Sequence, residues 1–188
     1  DPMSESPPEA LLQAIAQGSM SAMESLYRQF ERTVYRYALS HLSDPFDAAE
    51  VLNDVMLDVW RQAGRFEGRS QVSTWLLGMT RHKVLDRLRA RQRHATEALD
   101  DDGEIGDRLV DETPGAEQSM AAEQDAQRMR DCLRKLPTHH REVVHLAFYE
   151  DMGYEAIAAL VQCPPGTVKS RVHHAKEALK KCLNRWTM

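Results

Sequence analysis

Pro164, Pro165 and Gly166 stand between two apolar stripes of helical period, and no regular element can run through them. The first stripe is Ile157, Leu160 and Val161. The second is Val168, Val172, Ala175 and Leu179, at spacings of four, three and four, which is one face of a helix. The chain must therefore turn between two helices, and Pro165 suits the opening of the second, where its missing N–H costs nothing. A short helix, a tight turn and a longer helix predict a helix-turn-helix, whose second helix commonly lies in the DNA major groove.

With the second stripe turned inward, Lys169, Ser170, Arg171, His173, His174, Lys176 and Lys180 lie on the other sides. Residues 164–186 hold six basic side chains against one acid, Glu177. Such a face can neutralise phosphates and reach base edges. A merely solvated charged back is the plainer reading; the paired helices, the turn and the basic face together weigh against it. The net charge of −5 looks wrong for a nucleic-acid binder until it is divided along the chain. Residues 3–60 carry nine acids and three bases, residues 61–94 nine bases and two acids, and residues 95–118 nine acids and one base. Two basic segments parted by an acidic one predict two separate contacts with nucleic acid.

The helix-period pattern continues elsewhere, which predicts an all-α protein. Leu12, Ile15, Met23, Leu26, Tyr27, Phe30, Val34, Tyr37 and Ala38 read as two helices broken near Gly18 and Ser19, with Ser21 as cap. After the break at Asp44-Pro45, a long helix from Asp47 turns Ala48, Val51, Leu52, Val55 and Val59 inward, with Met56 and Trp60 flanking. Its polar face is acidic: Glu50, Asp54 and Asp58. Residues 64–73 read as a loop. Thr74 then caps a helix that buries Trp75, Leu76, Met79, Val84 and Leu88 and shows Arg81, His82, Lys83, Arg87, Arg89, Arg91 and Arg93 outside. Residues 95–118, broken by Gly103, Gly106, Pro114 and Gly115, read as an acidic linker. Helix resumes over residues 119–136, stops at Pro137, and restarts with Thr138 as cap and Val143, Val144, Leu146 and Ala147 inward.

Several chemistries are expected to be absent. No phosphate-binding glycine loop, nucleophile elbow or zinc signature occurs, so catalysis is not expected; a motif-free nuclease using scattered acids is the residual enzyme reading. The spacing of Asp100, Asp101 and Asp102 fits no calcium loop. His139, His140 and His145 are read as surface or capping residues, because neighbouring histidines on a helix point apart. No metal site or cofactor is expected. Cys132, Cys163 and Cys182 are odd in number and widely spaced, which predicts three reduced cysteines and no disulfide. No apolar run is long enough to cross a bilayer and no signal peptide is evident, so a cytoplasmic protein without membrane insertion is expected.

The residues quoted so far also carry a resemblance. GTVKSRVHHAKEAL, preceded by YEAIAALV, resembles region 4 of bacterial sigma factors, in the manner of their extracytoplasmic-function group; His174 stands where arginine is common. DAAEVLNDVMLDVWRQ resembles region 2.2, with Asn53 in place of the usual glutamine and Ala49 in place of a frequent glutamate. GRFEGRSQVS and TWLLGMTRHKVLDRLRARQR resemble regions 2.3 and 2.4, with His82 in place of a common asparagine. The resemblance implies a region 2 domain over residues 3–94, a linker over 95–118 and a region 4 domain over 119–186. It implies docking on core RNA polymerase through Asp47, Glu50, Asn53, Asp54, Leu57 and Trp60. It implies −10 promoter contacts from Arg65, Arg69, Ser70, Trp75, Arg81, His82, Lys83, Arg87 and Arg89, with the loop capturing a flipped base. It implies −35 contacts from Thr167, Lys169, Ser170, Arg171, His173, His174 and Lys176. It further implies a stress-response role and an anti-sigma partner that covers these surfaces; some partners of that class bind zinc. The competing expectation is a helix-turn-helix regulator whose first half is a sensor or dimerisation domain.

Overall fold

The computed structural model describes residues 6–99 and 120–186, and among these the regular structure is helical. The helices are α1 (Pro8–Ala16), α2 (Met20–Leu42), α3 (Pro45–Gln62), α4 (Val72–Leu99), α5 (Met120–Arg134), α6 (Thr138–Val144), α7 (Tyr154–Val161) and α8 (Pro165–Asn184). A 3₁₀ turn follows α3 at Ala63–Arg65, and a π turn follows α6 at His145–Tyr149. The chain divides into two compact units, residues 1–110 and 111–188.

In the first unit α2, α3 and α4 pack on one another and α1 lies against α2. Leu12, Leu26, Val34, Tyr37, Val51, Val55, Val59, Leu76, Leu77 and Val84 form its core. Each fully buried side chain of this size contributes about 1.5–3 kcal/mol of transfer free energy. The turn between α1 and α2 uses Gly18 at φ 89°, a left-handed conformation costly for a residue with a Cβ. The α2 cap is Ser19, not Ser21: its hydroxyl accepts from the Ala22 N–H at 3.2 Å. Likewise α3 begins at Pro45 under Asp44, whose carboxylate accepts from the Phe46 N–H at 2.9 Å. These shifts share a cause, since a cap must stand outside the first turn.

Thr74 does not cap α4, which starts two residues earlier at Val72; that residue is buried and extends the apolar face backward. Leu77 and Thr80 are buried as well, while Trp75, Met79 and Leu88 are half-buried. Thr80 satisfies its hydroxyl on the Leu76 carbonyl at 2.7 Å. The helix runs on to Leu99, into the stretch expected to be linker. Asp100, Asp101, Asp102 and the remainder of that stretch, with Ser119, lie outside the described residues.

In the second unit α6 and α7 pack on α8, and α5 closes over α8 from another side. Val143, Leu146, Ile157, Val168, Val172 and Ala175 are buried, and Leu133 and Leu179 pack on the Leu136, Val144 and Ala175 cluster. Thr138 is the first residue of α6 and makes no side-chain cap; Pro137 precedes it. Two expectations are overturned here. Cys132 and Cys182 form a disulfide between α5 and α8, with α-carbons 5.8 Å apart, and only Cys163 is free. Helix packing brings together residues that sequence spacing holds far apart. His145 is also not a surface residue: it is buried, pairs with Glu150 at 3.3 Å and stacks on Tyr149 at 5.2 Å. The wider π turn closes through the Glu150 N–H on the His145 carbonyl and carries the chain into the loop before α7.

Candidate nucleic-acid interface

The helix-turn-helix forms at α7 and α8. α7 stops because Gln162 adopts φ 57°, in the left-handed region, before the prolines are reached. Pro165 then occupies the first turn of α8. Val168, Val172 and Ala175 bury one side of α8, which leaves Lys169, Ser170, His173, His174 and Lys176 exposed. Thr167 and Arg171 are half-buried. The Arg171 guanidinium lies 3.9 Å from the Cys163 sulfur, which anchors it near the turn. Lys176 rests 5.0 Å above the ring of Phe148, a cation–π contact from the π turn to the basic face.

A second group of imidazoles joins this face from α6. The rings of His140 and His174 are 6.2 Å apart, and those of His173 and His174 5.8 Å. Burial first, then the neighbouring His174, Arg171 and His139, hold the His140 pKa below its usual value. His140 is therefore kept neutral beside an otherwise basic helix.

In the first unit, Arg65, Arg69 and Ser70 are exposed on the turn and loop after α3, with Arg69 paired to Glu67 at 2.8 Å. Trp75 packs against Phe66 with ring centres 5.3 Å apart and is half-buried. A cleft of about 530 Å³ opens beside this loop, walled by Ala63, Gly64, Phe66 and Gly68 on one side and by Leu12, Gln13 and Gln17 of α1 on the other. The α1 wall was missed from sequence, where Leu12 read simply as core; a pocket assembled from distant segments leaves no local pattern.

On α4, His82 and Arg89 are exposed and Arg81, Lys83 and Arg87 half-buried. These cations do not stand alone. Lys83 meets Asp58 at 2.7 Å, and Arg87 meets Glu50 at 2.7 Å, Asp47 at 3.2 Å and Asp54 at 3.8 Å. Arg91 pairs with Asp47 and also donates to the Leu42 carbonyl at 2.8 Å. Arg89 pairs with Asp86 at 3.2 Å. Part of the basic face read from sequence is thus neutralised by the acidic face of α3.

α3 presents a second stripe outward. Phe46, Glu50, Asn53, Leu57 and Trp60 follow one another at four, three, four and three residues, and all are exposed. Phe46 is 83% exposed and opens this stripe, in which Leu57 and Trp60 are the other exposed apolar side chains. It was not among the expected docking residues, although the spacing would have found it. Among the described residues no group of three or more His, Cys, Asp or Glu is placed to hold a metal ion, and no helix is long and apolar enough to cross a membrane.

Comparison with known proteins matches both units. Residues 26–94 match the family model Sigma-70 region 2, and residues 126–179 match Sigma-70, region 4. The chain is similar to the RNA polymerase sigma-H factor of Pseudomonas aeruginosa, at 26% identity over 179 residues covering 93% of each chain. It is similar to the ECF RNA polymerase sigma factor SigK of Mycolicibacterium vanbaalenii, at 29% identity over 177 residues, covering 93% of this chain and 88% of that one. Among solved structures it resembles the sigma factor RpoE of Bartonella quintana, crystallised with the anti-sigma factor NepR, at a TM-score of 0.72 and 27% identity over 86% of this chain and 96% of that one.

Proposed function

The chain belongs to the sigma-70 family of RNA polymerase sigma factors, in its extracytoplasmic-function group, and from that premise we propose that it is an alternative sigma factor that delivers core RNA polymerase to promoters and has no catalysis of its own. The outward stripe of α3 docks on the polymerase: Glu50, Asn53, Asp54, Leu57 and Trp60 form the contact, Asp47 flanks it, and Phe46 extends it. Acidic and apolar groups interleaved at helical spacing suit a basic partner helix laid alongside.

The −10 element is engaged by the first unit. Arg65, Arg69 and Ser70 belong to the same turn and loop after α3 that lends Ala63, Gly64, Phe66, Glu67 and Gly68 to the cleft against α1, which has room for one unstacked base. Arg81, His82, Lys83, Arg87 and Arg89 follow the strand backbone on α4. A single strand needs this combination of a pocket and a cationic track. Trp75 supports the loop through Phe66. The −35 element is held by α8 through Thr167, Lys169, Ser170, Arg171, His173, His174 and Lys176.

The observation that carries this reading is the exposed basic side of α8 above its buried Val168, Val172 and Ala175, in a chain whose region 2 match precedes it. That region 2 match argues against a regulator with a sensor domain. The basic DNA surfaces and the α3 stripe would both be open in the free factor, so an anti-sigma protein is proposed to cover them, as NepR accompanies the similar RpoE. The site of action is the cytoplasm, where polymerase and promoters are. Run-off transcription with core polymerase on a genomic promoter library tests the proposal. It predicts initiation at a defined set of promoters that share −35 and −10 elements. A chain that neither co-elutes with core polymerase nor directs any transcript is not a sigma factor.

A further inference from the structure

Resting on the assignment of the cleft beside the loop after α3 to an unstacked base, we infer that α1 reads the identity of that base, and that Glu9 and Gln13 select a base with an exocyclic amino group over thymine. The two walls of the cleft differ in chemistry. On the loop side Ala63, Gly64, Phe66 and Gly68 offer no polar side chain, and the carboxylate of Glu67 is taken up by Arg69 at 2.8 Å. On the α1 side Glu9, Gln13 and Gln17 are exposed, and their side chains make no hydrogen bond or ion pair among the described residues. Every uncommitted polar side chain of the cleft therefore comes from α1.

Helical geometry sorts that wall. Glu9, Gln13 and Gln17 recur every fourth residue, and so do Leu12 and Ala16, so α1 turns two adjacent lines toward the cleft, one polar and one apolar. Ala16 and Gly64 hold the walls close: a β-carbon added to Gly64 would stand 3.7 Å from that of Ala16. The apolar line and the Phe66 ring, braced by Trp75 at 5.3 Å between ring centres, suit the faces of a base. The polar line is left for its edge.

Donors and acceptors then set the preference. A glutamine amide both donates and accepts, so by turning over it serves any base edge. A carboxylate only accepts. Glu9 is thus the one side chain of this line with a fixed sign. It accepts a hydrogen bond from the amino group of adenine, cytosine or guanine, whereas thymine offers it a single ring N–H between two carbonyls. Gln13, one turn further along α1, is within the same line to pair with the ring atom beside the amine. The loop admits a base, and α1 decides which.

The test is fluorescence anisotropy on the full chain, with a labelled single strand carrying the −10 element of a promoter found by run-off transcription. Abasic substitution along the strand locates the captured base as the position where its loss costs most. There an amino-bearing base is expected to bind roughly tenfold tighter than thymine, and roughly tenfold tighter than its own counterpart without the amine. The counterparts are purine for adenine, pyrimidinone for cytosine and hypoxanthine for guanine, and the three pairs tell which amino base is taken. Glu9→Gln keeps the shape of the side chain but can donate, and it is expected to bring both ratios down to about two. Glu9→Gln with Gln13→Ala is expected to abolish the preference. Ratios are blind to the uniform gain in strand binding from one lost negative charge. Circular dichroism checks that these exposed substitutions leave the fold intact. Ratios unchanged in both variants, or a preference for thymine in the unaltered chain, would overturn the inference. If no abasic position matters, the assignment of the cleft to a base fails; if one does and the α1 variants keep the original preference, only the reading by α1 fails.

Discussion

Cys132 is bonded to Cys182 across the second unit, tying α5 to the last turns of α8. Fifty residues separate the two sulfurs along the chain, and α6, α7 and most of α8 lie between them. Closing a loop of that length removes unfolded-state entropy worth about 4 kcal/mol. Reduction, or Cys132→Ser, is therefore expected to lower the melting temperature of this unit by roughly ten degrees or more while leaving the first unit unchanged. Thermal melts with and without reductant check this, in a Cys163→Ser background that removes exchange with the free thiol. Identical melts would mean that native packing of the second unit does not depend on the bond.

His140, beside α8, is expected to make the proposed binding to the −35 element proton-linked. His140 is held neutral by burial and by His174, Arg171 and His139, so its folded pKa lies below the unfolded value near 6.5. A phosphate nearby favours the charged form, so DNA binding takes up a proton and affinity should rise as pH falls from about 7.5 to 6, by roughly two- to threefold. Stability moves the other way. Above the unfolded pKa the group contributes no difference, and as pH falls through it the unfolded chain is protonated first and the second unit loses stability. In anisotropy titrations across that range, His140→Gln should flatten the pH dependence of affinity. An unchanged slope would place this ring away from the DNA.

Much of this was open to reading in the residue order. The breaks at Gly18, Asp44-Pro45, Pro137 and Pro164-Pro165 and the 3.6-residue stripes place the described helices to within a few residues, apart from the far end of α4, because backbone sterics and one-sided burial act locally. The basic side of α8 was legible for the same reason. What escaped were pairings across elements. Nothing in the spacing of Cys132 and Cys182 says that α5 and α8 touch. Nothing in the run of arginines on α4 says that Arg87 faces Glu50 instead of solvent. His145 looked like one of three surface histidines until a π turn placed it opposite Glu150. These are consequences of packing, which periodicity does not encode.

Lys169 and Arg171 separate two kinds of contact on the same helix. Lys169 is exposed and compact in charge, so Lys169→Ala should weaken −35 duplex binding and lower the salt slope by about one, whatever the sequence. Arg171 is half-buried near the turn and anchored on Cys163, so its fork is expected to meet the groove in a fixed pose. Arg171→Lys, which keeps the charge and loses the fork, should cost about 1–3 kcal/mol of discrimination against mutated −35 sites with little change in salt slope. Competition titrations with point-mutated duplexes at two salt concentrations distinguish the outcomes. A salt slope that is unaltered in Lys169→Ala would show that this residue does not meet the backbone.

The exposed stripe on α3, proposed to dock on polymerase, predicts a clean separation of binding from folding. Leu57 and Phe46 are exposed at 46% and 83%, on the side of α3 opposite Val51, Val55 and Val59, so neither supports the core. Leu57→Ala and Phe46→Ala should leave the melting temperature within about a degree, in keeping with surface substitutions generally. Each should nonetheless weaken association with core polymerase, by about 1–2 kcal/mol or roughly tenfold, if apolar anchors carry the contact as they do in other interfaces. Binding of the −10 strand by the free chain should not change, because neither residue faces the cleft or α4's cations. Val55→Ala is the contrasting case: it opens a void in the core and should lower stability by about 1–3 kcal/mol before it affects either partner. Fluorescence binding to core polymerase beside thermal melts of the same variants reads both quantities. Full polymerase affinity in the Leu57 and Phe46 variants together would remove this stripe from the docking surface and shift the contact to the acids alone.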